Sequence, residues 1–464
     1  VLPGHPFIPE RAVEFTNERP GSQRQCWYLL TDEEAETLRA DPRILAVEVH
    51  PKYLGIELRP SFVQTSANWN KSSVGTVNAH RNWGLYRVMQ SSQISNWGSD
   101  GNPDQAGTVT TTSEGLNVDV VICDGHFDPS HPEFAKNSDG TGGSRVVQYD
   151  WLQDSLAVTG NLPSGTYSYT PYVGTTAETA NNNHGCHVAG TACGNSQGWA
   201  RKANIYNINP YSTNPNYASV SDAVGNTFVF DFIRFWHNKK QINPATGRTN
   251  PTIVNSSWGN HSSSYLCSQI TSIYYQGVVY NGPFTASNLA TYGIYAVADP
   301  VNGDYFYFSM RNTSLDVDVA DCISAGIIMI GAAGNMYARG TNDPNDVNYN
   351  NFFKLLVGST TYTIFYSRGE SPGVACITVG SVSSLSVEMK SSFSNCGPVI
   401  DIFAPGSYIL SSLNTGGTTY DYRNASYSIA KYSGTSMASP QVTGVVACAL
   451  ETYPNAKQAD VISY

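Results

Sequence analysis

Six short runs of almost uninterrupted apolar residues set the strongest limit on the fold of this chain. They are residues 118–123, 203–208, 252–255, 326–333, 375–379 and 400–404. A strand that is apolar on both faces has to be covered on both faces, as in parallel sheets flanked by helices. Helix-compatible apolar spacing lies between the runs, at 220–236 and 315–323. The pattern predicts an α/β fold with a mostly parallel central sheet and ligand sites at the carboxyl ends of its strands.

The first sixty residues predict a small α+β domain. Residues 25–30 have a strand pattern, Thr31 and Glu34 form a capping-box pattern that opens a helix to about residue 40, and residues 44–49 predict a second strand. The stretch 61–82, rich in Ser, Asn and Gln, predicts a linker. We therefore expect a small domain at 1–60, a linker at 61–82 and a large domain at 83–464.

The charge balance argues against two classes of partner. Only 13% of the 464 residues are charged and the formal net charge is −10, without basic clusters, so we expect no nucleic-acid and no anionic-membrane partner. No run approaches the roughly 18 apolar residues of a membrane span. Residues 1–6 lack the charged and apolar regions of a signal peptide. Nine cysteines, an odd number without metal-ligand spacing, leave at least one thiol unpaired within the chain.

A serine at a helix start is the candidate nucleophile. Residues 434–440 read Gly-Thr-Ser-Met-Ala-Ser-Pro, and apolar residues recur at helical spacing through 441–450. Pro440 is expected in the first turn of that helix, where its missing N–H would be unpaired anyway. Ser436 would then hold its hydroxyl and N–H beside the positive end of the helix dipole, where an oxyanion is stabilised. The alternative is an ordinary N-capping serine.

A serine hydroxyl needs a base to accept its proton and a third group to orient that base. Asp124 ends a buried strand and is the candidate orienting acid, with Asp128 as its rival. His184 is the candidate base, with an ordinary pKa of about 6.5. We expect the neighbouring His187 to be structural. Asn335, after the strand 326–333, is the candidate oxyanion donor, and a turn asparagine is the alternative.

These motifs, in the order Asp124, His184, Asn335, Ser436, resemble those of the subtilisin-like serine peptidases, the subtilase family. The resemblance covers about residues 80–464 and implies a three-layer fold and a Ser436-His184-Asp124 triad. It also implies an oxyanion hole made by the Asn335 side chain and the Ser436 N–H.

The same resemblance assigns substrate binding to a strand-edge segment. Ser257, Trp258 and Gly259 match the segment that pairs with a bound peptide as an added strand, although Trp258 has a plain core position as its alternative. Two motifs depart from the family. The family usually has Asp-Ser-Gly or Asp-Thr-Gly where this chain has Asp124-Gly125-His126, so the hydroxyl beside the acid is missing. Cys186 replaces the usual threonine after His184.

Residues 1–60 resemble the inhibitory propeptide of this family, and Trp83-Gly84-Leu85 resembles the beginning of its catalytic domain. The resemblance implies a self-processed precursor, cut between about 55 and 82, whose partners are protein or peptide substrates and its own propeptide. The chemistry requires no cofactor. Family members often bind structural calcium, and the acidic loops 137–140 and 343–346 could hold it, but neither loop fits a defined calcium-ligand spacing, so solvated loops are the favoured interpretation.

A second class of function stays open. The low charge, the abundant Tyr and Asn, and long insertions at 138–182, 262–312 and 338–372 also suit a structural component of a larger assembly, such as a viral particle, that keeps a subtilisin fold without using its triad. We expect some of these insertions to shape the substrate groove.

Overall fold

The computed structural model describes residues 15–18, 26–28, 30–44, 47, 82–89, 111–154, 171–172, 180–211, 229–259, 262, 264–309, 311, 313–368, 372–384, 388–417 and 419–463. The chain divides into two compact units, Val1–Ser61 and Phe62–Tyr464. Most of the predicted strand at 44–49 and of the predicted linker at 61–82 lies outside the described residues.

The first unit contains an antiparallel strand pair, β1 (Phe15–Glu18) with β2 (Cys26–Tyr28), and one helix, α1 (Asp32–Arg39). The Glu34 N–H donates to Thr31 Oγ1 (3.3 Å), and the Thr31 N–H donates to Glu34 Oε2 (2.7 Å). These reciprocal bonds satisfy two N–H groups that a helix start leaves without partners. The predicted capping box and helix are thus confirmed.

The second unit alternates strands and helices along most of its length. Its helices are α2 (Trp83–Met89), α3 (Ala180–Cys193), α4 (Val229–Lys239), α5 (Ala286–Leu289), α6 (Thr313–Ser324), α7 (Thr435–Thr452) and α8 (Gln458–Ser463). Its strands are β3 (Asp119–Cys123), β4 (Val146–Val147), β5 (Asn204–Ile208), β6 (Thr252–Ser256), β7 (Tyr265–Leu266), β8 (Ile270–Tyr275), β9 (Val278–Asn281), β10 (Ala296–Val297), β11 (Tyr305–Phe306), β12 (Ile328–Ala332), β13 (Phe352–Val357), β14 (Thr360–Phe365), β15 (Ile377–Val382), β16 (Ile402–Pro405), β17 (Ile409–Leu413), β18 (Thr419–Asp421) and β19 (Asn424–Tyr432).

The central sheet has the strand order β16-β15-β12-β6-β3-β5-β4, and each neighbouring pair is parallel. Strand β3 shows why both faces are apolar. Val120 and Ile122 pack in one core with α3 and α7, whereas Val121 and Cys123 pack in the other with α4 and α6. The predicted α/β fold, with helices on both faces of a parallel sheet, is therefore confirmed, and the six predicted strands are all in that sheet.

The sequence pattern did not predict the short strand β4. The predicted helix at 220–236 corresponds to α4, which ends three residues later, and residues 220–228 lie outside the described residues.

Two of the predicted insertions build a module with its own hydrophobic core. One sheet has the order β14-β13-β8-β9 and a smaller one the order β10-β11-β7. Phe306 and Phe308, before α6, pack against Phe353 on β13, with ring centroids 5.3 and 5.1 Å apart. Aromatic side chains supply much of the buried apolar area, so these Tyr- and Asn-rich stretches share one hydrophobic core.

Candidate active site

Parallel strands end at one edge of their sheet, and the candidate residues gather there. Asp124 directly follows β3, Ser257 directly follows β6, and Asn335 lies three residues after β12. In the register of the sheet, Cys123 of β3 lies opposite Ser256 of β6. Helices α3 and α7, which carry His184 and Ser436, pack on the same face of the sheet. The topology therefore brings together residues that are far apart in the sequence.

Asp124 and His184 form a close pair. Asp124 is fully buried, and both of its carboxylate oxygens lie 3.0 Å from His184 Nδ1. The Gly125 N–H also donates to Asp124 Oδ1 (2.7 Å). Burial by itself would lower the pKa of His184, but the charge of Asp124 and its hydrogen bond outweigh that effect and raise the pKa above its ordinary value of 6.5. The imidazole is thus oriented through Nδ1, and Nε2 is the nitrogen left for proton exchange.

Ser436 is the second residue of α7 and is 9% exposed. Its hydroxyl donates to the main-chain carbonyl of Ser257 (3.0 Å) rather than to His184. Among the contacts of the described residues, the structure does not bring the serine hydroxyl and the imidazole into a hydrogen bond. Such bonds are often formed only in the substrate complex. A rotation about the Ser436 Cα–Cβ bond would redirect the hydroxyl.

The side chain of Asn335 is held by its oxygen. Asn335 Oδ1 accepts from the N–H (2.9 Å) and the hydroxyl (3.0 Å) of Thr435, so its amide nitrogen is the group left to donate elsewhere. A methyl carbon placed on Gly434 would lie 3.5 Å from Asn335 Nδ2 and 3.6 Å from the Ser436 nitrogen. The open space beside Gly434 is therefore flanked by both candidate oxyanion donors.

The strand-edge segment is tied to its surroundings by side-chain bonds. The Ser257 side chain is buried and faces α7, where its hydroxyl donates to the Ser436 carbonyl (3.0 Å) and contacts Ser439 Oγ (2.8 Å). Trp258 is half-buried, donates from Nε1 to the Cys123 carbonyl (2.9 Å) and stacks on Phe230. Gly259 is partly exposed. The Ser257 side chain is therefore engaged within the fold, and the stack of Trp258 on Phe230 is a core contact.

The expected position of Pro440 is wrong. Helix α7 begins at Thr435, so Pro440 lies in the second turn and not in the first. Its missing N–H leaves the Ser436 carbonyl without the usual helical donor four residues later. The Ser257 hydroxyl supplies that donor instead. The hydrogen bond from Ser257, which directly follows β6, thus compensates for the proline inside the helix.

The alternatives weighed for the acid and the base lie elsewhere. Asp128 accepts from the Ser130 N–H (2.8 Å) and from the Tyr427 hydroxyl (3.4 Å), not from His184. His187 contacts the carbonyls of Ile409 and Ala430 through Nε2 and stacks on Tyr432. Burial, followed by the charge of His184, lowers the pKa of His187 to about 3, so this ring stays neutral.

Two residues that contact Asp124 were not predicted from the sequence. Asn207 donates from Nδ2 to the carbonyls of Ile122 (3.1 Å) and Asp124 (3.0 Å), which fixes the turn after β3. The Tyr211 hydroxyl donates to Asp124 Oδ1 (3.3 Å). Both residues stand at or just beyond the carboxyl end of the predicted strand at 203–208, which was the signal available for finding them.

The two loops considered as calcium sites use their carboxylates internally. Asp139 Oδ1 accepts from the N–H and the hydroxyl of Thr141, Asp343 accepts from Asn345, and Asp346 accepts from Asn348 and Arg339. Within the described ranges, no group of three or more His, Cys, Asp or Glu side chains could hold a metal ion. The carboxylates of both loops are therefore engaged by neighbouring groups of the chain.

Helices of the described segments are also too short or too polar to cross a bilayer.

Comparison with known proteins gives consistent matches. The model of the subtilase family (peptidase S8) matches residues 115–463. An extracellular serine proteinase of Thermus sp. (strain Rt41A) is 26% identical over 432 residues, which are 93% of this chain and 67% of the relative. An extracellular protease of Xanthomonas campestris pv. campestris is 46% identical over 88 residues, 19% of this chain and 14% of the relative. Subtilisin-like protease 3 of Trichophyton equinum is 45% identical over 84 residues, 18% of each chain.

Among solved structures, a cold-adapted subtilisin-like serine proteinase matches 82% of this chain and 89% of its own, with 22% identity and a TM-score of 0.43. The chain spans about two thirds of the Thermus relative and less than a fifth of the other two curated relatives.

Proposed function

The chain belongs to the subtilase family of serine endopeptidases, and from that premise we propose that it hydrolyses peptide bonds of protein substrates through an acyl-enzyme formed on Ser436. The single observation that carries the proposal is the Asp124–His184 pair. A buried carboxylate with both oxygens 3.0 Å from Nδ1 fixes the imidazole so that Nε2 can accept the serine proton.

In the proposed reaction, Ser436 Oγ attacks the carbonyl carbon of the scissile bond and its proton passes to His184. Asp124 stabilises the imidazolium that forms. His184 then protonates the leaving amine as the C–N bond breaks. Water then attacks the carbonyl carbon of the acyl-enzyme and gives a proton to His184. The ester bond to Ser436 Oγ breaks as His184 returns that proton to the serine, and the carboxylic acid product is released. No cofactor is needed, since the three side chains supply nucleophile, base and orientation.

The oxyanion of each tetrahedral intermediate would be met by two donors, the Asn335 side-chain amide and the Ser436 N–H. The anchoring of Asn335 Oδ1 by Thr435 supports this assignment, because it fixes the direction of the amide. Loss of the corresponding side-chain donor in subtilisin lowers kcat by about 10²–10³, and we expect a loss of the same order for Asn335→Ala.

We also propose that residues 1–60 act as a propeptide that inhibits residues 83–464 until the linker at 61–82 is cut. The capped helix α1, found where the sequence predicted it, supports the resemblance to such a domain. Substrate peptides would add as a strand to the segment of Ser257, Trp258 and Gly259, with main-chain pairing supplying most of the affinity.

An intact-mass time course at neutral pH tests this proposal. We compare wild type with Ser436→Ala, and with Ser433→Ala as a matched control on an exposed serine three residues earlier. Wild type and Ser433→Ala should both shed an N-terminal fragment and hydrolyse an unfolded protein substrate, and Ser436→Ala should do neither. If wild type stays intact for days and leaves the substrate uncut, the alternative function is favoured, in which the chain is a structural component of an assembly and its triad is not used.

A further inference from the structure

The family motif usually places a hydroxyl directly after the catalytic acid, and this chain has Gly125 there. Gly125 gives the carboxylate its N–H alone, at 2.7 Å from Asp124 Oδ1. A tyrosine hydroxyl from a different strand end reaches the same oxygen, with Tyr211 Oη 3.3 Å from Asp124 Oδ1. The Tyr211 hydroxyl therefore contacts the carboxylate of Asp124, next to which the family usually has a Ser or Thr hydroxyl.

We propose that Tyr211 is a positioning residue of the triad, whose hydroxyl holds the Asp124 carboxylate in the orientation that presents both oxygens to His184. This inference rests on the proposed peptidase function.

The parallel register of the sheet explains how Tyr211 reaches the acid. Strand β5 lies beside β3 with Ile208 opposite Cys123, and the Asp124 N–H donates to the Ile208 carbonyl (3.0 Å). Asn209 and Pro210 follow the strand. Asn209 Oδ1 accepts from the Tyr211 N–H (3.0 Å), and proline restricts the backbone between them. The Tyr211 hydroxyl thereby lies beside the acid that follows β3.

The hydroxyl of Tyr211 can act only as a donor toward Asp124. Burial, followed by the negative charge of Asp124, raises the pKa of Tyr211 well above its ordinary value of 10.0, so the proton stays on the phenol throughout the working range. Tyr211 as a whole residue is 37% exposed, while its hydroxyl contacts a fully buried carboxylate. Replacing Tyr211 by phenylalanine would remove the donor and leave the packing of the ring unchanged.

Other ionisable groups lie near Asp124 and His184 and could also contribute to a pH dependence of activity. They are Cys123 and His126 beside Asp124, and Cys186 and His187 on the same helix as His184. Burial raises the pKa of the Cys123 thiol, and His187 stays neutral, so neither changes charge near neutral pH. His126 contacts Asn207 Oδ1 through Nδ1 (2.6 Å) and stacks on Tyr172.

Loss of the Tyr211 donor has a defined electrostatic consequence. More of the carboxylate charge would then face His184 Nδ1, so the pKa of His184 should rise further. The less firmly held carboxylate should also lower kcat by about 3- to 10-fold, with KM nearly unchanged, because hydrogen bonds to charged groups are among the stronger ones.

The test uses Tyr211→Phe with Tyr427→Phe as its matched control. Tyr427 also donates to an aspartate, Asp128, at 3.4 Å, but outside the triad. In the Ser436→Ala background, the pKa of His184 is read from an NMR titration of labelled histidine, which needs no activity. In the active chains, kcat/KM is measured against pH with a peptide substrate.

We expect the His184 titration and the acid limb of the kcat/KM profile to move to higher pH together in Tyr211→Phe and to stay fixed in Tyr427→Phe. If Tyr211→Phe titrates and turns over like wild type, the inference is overturned. If wild type shows no Ser436-dependent hydrolysis, the proposed function fails instead, and the NMR titration alone decides whether Tyr211 acts on the pair.

Discussion

Ser257 and Ser436 exchange two hydrogen bonds of 3.0 Å, each hydroxyl donating to the carbonyl of the other residue. One of these bonds serves the carbonyl that Pro440 leaves without its helical donor. The strand-edge segment and the nucleophile helix are therefore fixed to each other at the reacting residue itself.

This exchange predicts that Ser257→Ala weakens both catalysis and folding. We expect kcat to fall about 3- to 10-fold and the free energy of unfolding to fall by about 1–3 kcal/mol, because a buried carbonyl loses its donor. Pro440→Ala returns an N–H to the helix, so the stability cost of Ser257→Ala should shrink in that background. A double-mutant cycle of Ser257→Ala and Pro440→Ala, measured by urea unfolding in the Ser436→Ala chain, gives this coupling. If Ser257→Ala costs the same stability with and without Pro440→Ala, the Ser257 hydroxyl does not compensate for the proline.

The open space beside Gly434 predicts a variant that folds but turns over slowly. Gly434 has an extended backbone (φ 165°, ψ 159°) that alanine can adopt, and the added carbon would make only ordinary contacts. It would, however, stand between the two candidate oxyanion donors. Gly434→Ala should keep its melting temperature and lose about tenfold or more in kcat, toward the roughly 10²–10³-fold loss expected for Asn335→Ala. An unchanged kcat in Gly434→Ala would show that the oxyanion does not form in the space beside Gly434.

The raised pKa of His184 predicts the pH dependence of catalysis. His184 accepts a proton only when it is neutral, so kcat/KM should fall as pH drops through a midpoint above 6.5. Asp124→Asn removes the charge that raises the pKa and leaves burial, which lowers it. Its midpoint should therefore move to lower pH, and kcat should drop by about 10⁴ because the imidazole is no longer held in the correct tautomer. Profiles of kcat/KM against pH for both chains check the sign, and a midpoint that stays put argues that Asp124 does not govern His184.

A buried ion cluster predicts a large effect on stability away from the chemistry. Glu133 is fully buried, pairs with Arg423 and with the Ser196 hydroxyl, and accepts from the Ser196 N–H (2.8 Å). Glu133→Gln should lower the free energy of unfolding by about 3–5 kcal/mol, since it leaves the nearly buried cation of Arg423 with Asp421 as its remaining acidic partner.

The control for that cluster is Arg339→Gln, which breaks a half-exposed pair with Asp346 and should cost about 0–1 kcal/mol. Urea unfolding in the Ser436→Ala background compares the two. Similar small costs for both variants would mean that the buried pair adds nothing to stability.

The sequence predicted the features that depend on local pattern. Strand β3 was identifiable because four of its five residues are apolar, all but Asp119, and Asp124 because it directly follows that strand. Contacts between distant segments were not predictable. Tyr211 reaches Asp124 only through the register of β5 against β3, and the start of α7 is set by Thr435 bonding to Asn335, which displaced Pro440 into the second turn.

The aromatic core of the inserted module has a consequence for chain entropy. Phe308 and Phe353 meet across the 44 residues between them (309–352), a segment that includes α6, β12 and Asn335. Their noncovalent contact closes this segment into a loop. The cost of closing such a loop grows only slowly with its length, so a compact aromatic cluster can meet it. The aromatic contact thereby restricts the conformational freedom of the segment that carries Asn335.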